Sequence, residues 1–239
     1  IKKKIYKKNF KFVAISDWLK NKAKKSEVLK EYDIKRIYNN ISLQEFDLME
    51  KNIAKTILEI STKKQIILYG AQNPQSKRKG WDIFVDTLKK LDKEKYFLLI
   101  FGNFWSQKVL DNIGIEYKNL GFINDNKKLN AAYSASDFFV ASSIQEAFGK
   151  TWAEALACGT PVLCFDNTSV SEVVDHKTNG YIVKNFNSSE LLQGINWVSE
   201  EVKKNNFKKN QIRDKASIFD IKVIAKKYVD LYDDVLNNK

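Results

Sequence analysis

Only two cysteines, two prolines and one histidine occur in the 239 residues, and no apolar run approaches the ~20 residues that span a bilayer. Each shortage closes a class of function. Cys158, Cys164 and His176 are too few, and too poorly spaced, for a zinc site. Two thiols six residues apart, one at an expected helix end and one in an expected strand, read as buried and reduced, as in a cytoplasmic protein. The lysine-rich start is followed only by the short apolar stretch 12–15, which is not a secretory leader. The GxGxxG fingerprint is missing, so a dinucleotide cofactor of the usual kind is not expected. With only 9 glycines, each Gly or Pro is expected to mark a specific turn.

What is abundant is lysine and apolar residues. The net charge is +12, which suits nucleic acid, an anionic membrane face or phosphorylated substrates. The basic residues are spread along the whole chain, and runs such as KKKIYKK (2–8) and KKNNFKKN (203–210) read as solvated faces. Aromatic residues fall inside strand and helix patterns instead of exposed stacking rows, which argues against a nucleic-acid partner.

Short, mainly apolar runs recur at 65–70, 96–102, 117–121, 137–142, 161–166 and 180–184. Helix-period segments lie between them at 81–91, 107–113, 127–135 and 149–158. Strands buried on both faces and alternating with helices predict an α/β fold, a Rossmann-like doubly wound parallel sheet. Ligands of such sheets bind at the carboxyl ends of the strands. Ahead of this series, 10–15 reads as a strand, 17–30 as a basic amphipathic helix with Ser16 and Asp17 at its N-cap, and 35–41 as extended. At the far end, 219–236 reads as a long helix with Phe219, Ile221, Ile224, Tyr228, Leu231 and Val235 on one side.

Two loops then stand out. In 142–161 (SSIQEAFGKTWAEALACGTP), Gly149 has no Cβ, and the free N–H groups near Lys150 and Thr151 open the following helix, an arrangement suited to a diphosphate. Glu146 and Glu154 bracket that helix end about 10 Å apart along the helical rise. Carboxylates accept paired hydroxyl hydrogen bonds, so they suit the hexose and ribose ends of a sugar nucleotide. Taken alone, the pair is better explained as a loop glutamate and a solvated helix glutamate, since helix surfaces are rich in Glu; the surrounding loop shifts the balance toward the donor. In 69–82 (YGAQNPQSKRKGWD), Lys77, Arg78 and Lys79 precede Gly80 and a helix start, where basic side chains can neutralise phosphate, although in so lysine-rich a chain a solvated basic loop explains them as well. The loop after the third strand, with Gly121, Phe122 and Ile123, offers backbone groups and an apolar edge to a base. Ser169 and Glu172 have capping-box spacing for a short helix. His176 sits in turn chemistry and is not expected to be catalytic.

EAFGKTWAEALACGTPVLCFD (146–166) resembles the signature of retaining glycosyltransferases of family four, which have the two-domain GT-B fold. FKFVAISDWLK (10–20), IYNNISLQEF (37–46), ILYGAQNPQSKRKGWDIF (67–84), LGFINDNKKLNAAYSASDFFVASS (120–143), EVVDHKTNGYIV (172–183) and KKYVDLYDDVL (226–236) follow in the family's order. The resemblance implies three parts. Residues 1–45 end the acceptor domain and form the linker, 46–218 bind the donor, and 219–239 form a helix crossing back. It also implies a longer enzyme whose acceptor domain lies upstream of Ile1.

By position, Glu146 would bind hexose hydroxyls, and Phe148, Gly149, Lys150 and Thr151 the sugar and diphosphate. Lys79 would neutralise the diphosphate, Glu154 would bind ribose, and Phe122 and Ile123 would face the base. Ala71 stands where the family usually has arginine, and Arg78 is the expected compensation. The implied reaction moves a hexose, with retention and without metal or cofactor, from a nucleotide-diphosphate sugar to a glycan or lipid-linked acceptor. The setting would be cell-surface polysaccharide synthesis, with the enzyme cytoplasmic and in peripheral contact with the inner membrane. A GT-B epimerase or phosphorylase, and a noncatalytic nucleotide-sugar-binding domain, are the alternatives.

Overall fold

A computed structural model describes residues 10–104, 108–111 and 113–237; the basic run 2–8 and part of the expected helix 107–113 lie outside them. The chain opens with β1 (Phe12–Ala14), α1 (Asp17–Lys24) and β2 (Ile34–Arg36), and β1 and β2 form a two-stranded parallel sheet. After α2 (Lys51–Ile57) come six strands: β3 (Gln65–Gly70), β4 (Tyr96–Phe101), β5 (Tyr117–Asn119), β6 (Phe138–Ala141), β7 (Val162–Phe165) and β8 (Gly180–Val183). They form one parallel sheet in the order β5-β4-β3-β6-β7-β8.

Alternation along the strands builds two cores. Ile66, Leu68, Phe97, Leu99, Phe139 and Cys164 face one side, while Ile67, Tyr69, Leu98, Ile100, Phe138 and Leu163 face the other. The first side is covered by α5 (Asn126–Ala135), α6 (Lys150–Ala157) and α8 (Lys209–Ala216). The second is covered by α3 (Trp81–Leu88) and α7 (Ser188–Lys203). Between them in sequence, α4 (Lys108–Asp111) follows β4. β4, β6 and β7 are buried on both faces, which is why they carry no polar alternation, whereas the edge strand β5 is only half-buried and carries Lys118 and Asn119.

Three helices, α2, α7 and α8, join those expected from the sequence, and α1 is shorter than expected. Lys25 caps α1, its N–H donating to Asn21 O and the Ser26 N–H to Ala23 O, and 26–30 turn instead of continuing the helix. The last helix, α9 (Ile221–Asn237), buries Ile224 and Leu231, while Tyr228 and Val235 are half-buried against the core. Ile221, expected on the same side, is 51% exposed. Its neighbour Phe219 is fully buried against Tyr38, Phe148 and Trp152. No described helix is long and apolar enough to cross a membrane.

Ser169 and Glu172 do not form the expected capping box. Ser169 makes no side-chain cap; its hydroxyl donates to Phe148 O at 3.2 Å, and Thr168 Oγ1 accepts the Val170 N–H. The Glu172 carboxylate instead accepts the Asp17 N–H at 3.0 Å and the Trp18 N–H, so it caps α1 from across the molecule, beside Ser16. The Tyr38 hydroxyl donates to the same carboxylate at 3.3 Å.

Candidate functional site

The sheet order makes β3 the turning point: β4 and β5 continue to one side of it, and β6, β7 and β8 to the other. Loops leaving the carboxyl ends of β3 and β6 therefore diverge and leave a crevice between them. The first loop ends in the 3₁₀ turn Lys77–Lys79 and Gly80, and the second runs from Ser142 to Gly149.

These two loops are fastened together. Ser142 Oγ donates to Lys79 O at 2.9 Å, and the Ile144 and Gln145 N–H groups donate to Arg78 O at 2.9 and 3.3 Å. Gly80 makes the approach possible. Its φ is +67°, and a Cβ there would sit 2.0 Å from Ser142 O. The Lys79 ammonium consequently meets the Glu146 carboxylate in an ion pair, both side chains about nine-tenths covered. Arg78 Nη1 lies 4.0 Å from the other Glu146 oxygen, with its side chain half exposed. The Ser143 hydroxyl donates to Glu146 Oε2 at 3.3 Å.

Lys79, Ser142, Ser143, Glu146, Thr151 and Trp152 line one small pocket. Lys150 opens α6 with its side chain exposed, and Gly149 caps the helix without a side-chain hydrogen bond. The N-termini of α1, α5 and α7 are each capped by a side chain, of Ser16, Asp125 and Asn187, whereas α2, α3 and α8 begin, like α6, without one. The leading N–H groups of α6 thus keep their positive end for another acceptor. Gly149 is required from inside the molecule: φ is +75°, and a Cβ would meet Glu146 Cδ at 2.9 Å and Trp152 Nε1 at 3.0 Å. The Phe148 ring is buried, and its carbonyl accepts the Ser169 hydroxyl at 3.2 Å and the Trp152 indole N–H.

Other expected residues lie apart from this cluster. Glu154 is buried in α6, where its Oε2 accepts the Tyr133 hydroxyl at 2.8 Å. Burial raises its pKa, against the smaller lowering effects of Tyr133 and Lys150. Phe122, half exposed, and Ile123 follow β5, two strands from β3. Their loop is tied inward through Gly102, whose N–H donates to Gly121 O, and Asn103, whose N–H donates to Gln72 O. Ala71 is buried, its N–H 3.4 Å from Phe101 O. His176 Nδ1 accepts the Ile182 N–H at 3.1 Å, and burial lowers its pKa, helped by Lys177 and Lys184. Both cysteines are buried free thiols. Among the described residues no three His, Cys, Asp or Glu side chains gather as a metal would need.

Sequence reasoning missed Ser142, Ser143, Tyr133 and Trp152. The two serines ending an apolar strand were a usable signal, since hydroxyls there must find partners near the carboxyl edge of the sheet.

Residues 50–214 match the family described as glycosyl transferases group 1. An uncharacterized glycosyltransferase of Methanocaldococcus jannaschii is 30% identical over 75% of this chain and 50% of its own length. The Campylobacter jejuni N,N'-diacetylbacillosaminyl-diphospho-undecaprenol alpha-1,3-N-acetylgalactosaminyltransferase is 27% identical over 67% of this chain and 43% of its own. The chain spans about half the length of these curated relatives. Among solved structures, Anabaena HepE in complex with UDP-glucose superposes with a TM-score of 0.76 at 22% identity, over 93% of this chain and 63% of that one. The likeness is one of fold, the GT-B fold of glycosyltransferases. With the match covering more than half of its residues, the chain belongs to the group 1 glycosyl transferases.

Proposed function

We propose that this chain is the donor-binding part of a hexosyltransferase that uses a nucleotide-diphosphate sugar. The observation that carries the reading is the Lys79–Glu146 pair set beside the side-chain-free N-terminus of α6, in the crevice between β3 and β6. Cations and a helix end suit a diphosphate, and a carboxylate beside them suits sugar hydroxyls. The UDP-glucose held by the Anabaena neighbour supports the same class of donor. The Campylobacter relative's name supports an acceptor carried on a lipid diphosphate; the setting would then be cell-surface polysaccharide synthesis at a membrane face.

In this reading Lys79, Arg78 and the start of α6, through the N–H groups of Lys150 and Thr151, stabilise charge on the leaving diphosphate as the anomeric C–O bond breaks. They supply the positive charge a divalent ion would otherwise provide, so no metal takes part. Glu146 orients the hexose. Glu154, with one oxygen held by Tyr133, presents its carboxylate to the ribose. Phe122 and Ile123 border the base, and Arg78 serves where Ala71 leaves no cation. The acceptor hydroxyl attacks the same face, its oxygen bonding to the anomeric carbon while its proton passes to a diphosphate oxygen, and configuration is retained. Residues 1–45 then belong to the acceptor side and linker, 46–218 to the donor domain, and 219–239 to the returning helix.

Calorimetric titration with UDP, GDP and ADP tests the reading. One of the three should bind, and Lys79→Ala should weaken it by about tenfold or more, as for a lost charge-assisted contact. Failure of a folded sample to bind any of the three would overturn it.

A further inference from the structure

Lysine is a long side chain with a mobile head, so its aim depends on how firmly its own backbone is held. The backbone of Lys79 is held from across the crevice. Ser142 lies one residue beyond β6, is 1% exposed, and donates its hydroxyl to Lys79 O at 2.9 Å, with Gly80 O 3.4 Å away. The Tyr69 hydroxyl lies 3.4 Å from the same Lys79 carbonyl but is given chiefly to Pro74 O at 2.9 Å. Ser142 thus makes the shorter of the two hydroxyl contacts to Lys79 O. Gly80 completes the contact, since any Cβ there would push the turn away from Ser142.

The neighbouring ties do different work. The Ile144 and Gln145 N–H groups fix Arg78 O, and the Ser143 hydroxyl fixes the Glu146 carboxylate. Removing Ser142 Oγ would leave those bonds in place and take the shorter hydroxyl contact from the carbonyl of the residue whose ammonium meets Glu146, along with the longer contact to Gly80 O and the one to Tyr69. We infer that Ser142 is a positioning residue for diphosphate recognition, acting through the backbone of Lys79 and not by touching the donor. The inference rests on the donor reading above and adds to it the residue that aims its cation.

A double-mutant cycle separates this role from general support of the fold. Affinity for whichever of UDP, GDP or ADP binds is measured in the wild type, Ser142→Ala, Lys79→Ala and the double variant. Ser142→Ala should weaken binding by about fivefold to tenfold in the wild-type background, the scale of one hydrogen bond. In the Lys79→Ala background the same change should cost less than about twofold, because the cation it aims is gone. Equal losses in both backgrounds, or no loss in either, would overturn the positioning role while leaving the donor reading intact. Absence of binding by the folded wild type would instead sink the donor reading, and this inference with it. Should Ser142→Ala fail to fold, Ser142→Cys keeps the volume with a weaker donor, and it should show the same dependence on Lys79.

Discussion

Replacing Glu146 with glutamine keeps the shape of the side chain and removes its charge, leaving the nearly covered Lys79 ammonium without its partner. Two unit charges 4 Å apart attract by about 4 kcal/mol at an effective dielectric of about 20, and desolvation of both offsets part of this. Breaking a buried pair by removing one member costs about 3–5 kcal/mol. Side-chain exposures of 12% and 10% leave some access to water, so the lower end applies. At about 2–4 °C per kcal/mol for a domain of this size, Tm should fall by about 6–12 °C.

A nucleoside diphosphate would bring negative charge back to Lys79. With saturating UDP, GDP or ADP the deficit should therefore shrink to less than half, as linkage to a ligand that binds the folded state requires. The same variant should bind the diphosphate about tenfold more tightly than the wild type, the gain that halving the deficit requires, yet gain nothing further from the attached hexose. Differential scanning calorimetry with and without ligand, paired with titration, measures both effects. An equal fall in Tm with and without the diphosphate would refute the idea that Glu146 and the diphosphate share Lys79.

Three further outcomes follow from the geometry. Gly149→Ala adds about 1–2 kcal/mol of backbone strain at φ +75° and drives a methyl into the Glu146 carboxyl, so donor binding should fall more than thermal stability does. Glu154 is buried with a raised pKa, so the folded state holds its proton more firmly than the unfolded chain. Its contribution is therefore fullest below the unfolded pKa and lost as pH rises through the folded value. Glu154→Gln should flatten that loss of stability above the ordinary carboxylate range while weakening nucleoside binding. Glu172→Ala uncaps α1, costs about 1–2 kcal/mol, and should speed amide exchange at Asp17 and Trp18 without affecting β3 to β8.

The central strands were readable because burial on both faces leaves each as an unbroken apolar run, as in 96–101 and 162–165. Helices α2 and α8 were not, since α2 buries only Ala54, and α8 only Ile212 and Ala216, within otherwise polar sequence. Helix α7 did carry a signal: Leu191, Ile195 and Val198 fall on one face behind the Asn187 cap. Glu172 shows the limit of a local pattern. Its spacing from Ser169 fits a capping box, but only the fold shows that the free N–H groups nearest its carboxylate belong to residues 155 and 154 positions earlier in the chain.

The candidate site divides in the same way. The loop 142–149 and the cationic turn 77–79 could each be picked out locally, because glycine and charge mark them. That they meet depends on strand order, and no local pattern reports that β6 lies beside β3. The two glutamates eight residues apart look equivalent in the sequence, yet their surroundings differ in kind. Glu146 faces a lysine, an arginine and a serine at the mouth of the crevice, where its charge is compensated. Glu154 faces a buried tyrosine, where its charge is penalised. A carboxylate already balanced by a cation can exchange that cation with a diphosphate, whereas one held in a low-dielectric setting gains most from hydroxyl donors. The proposed roles, Glu146 on the hexose and Glu154 on the ribose, therefore rest on environment and not on spacing.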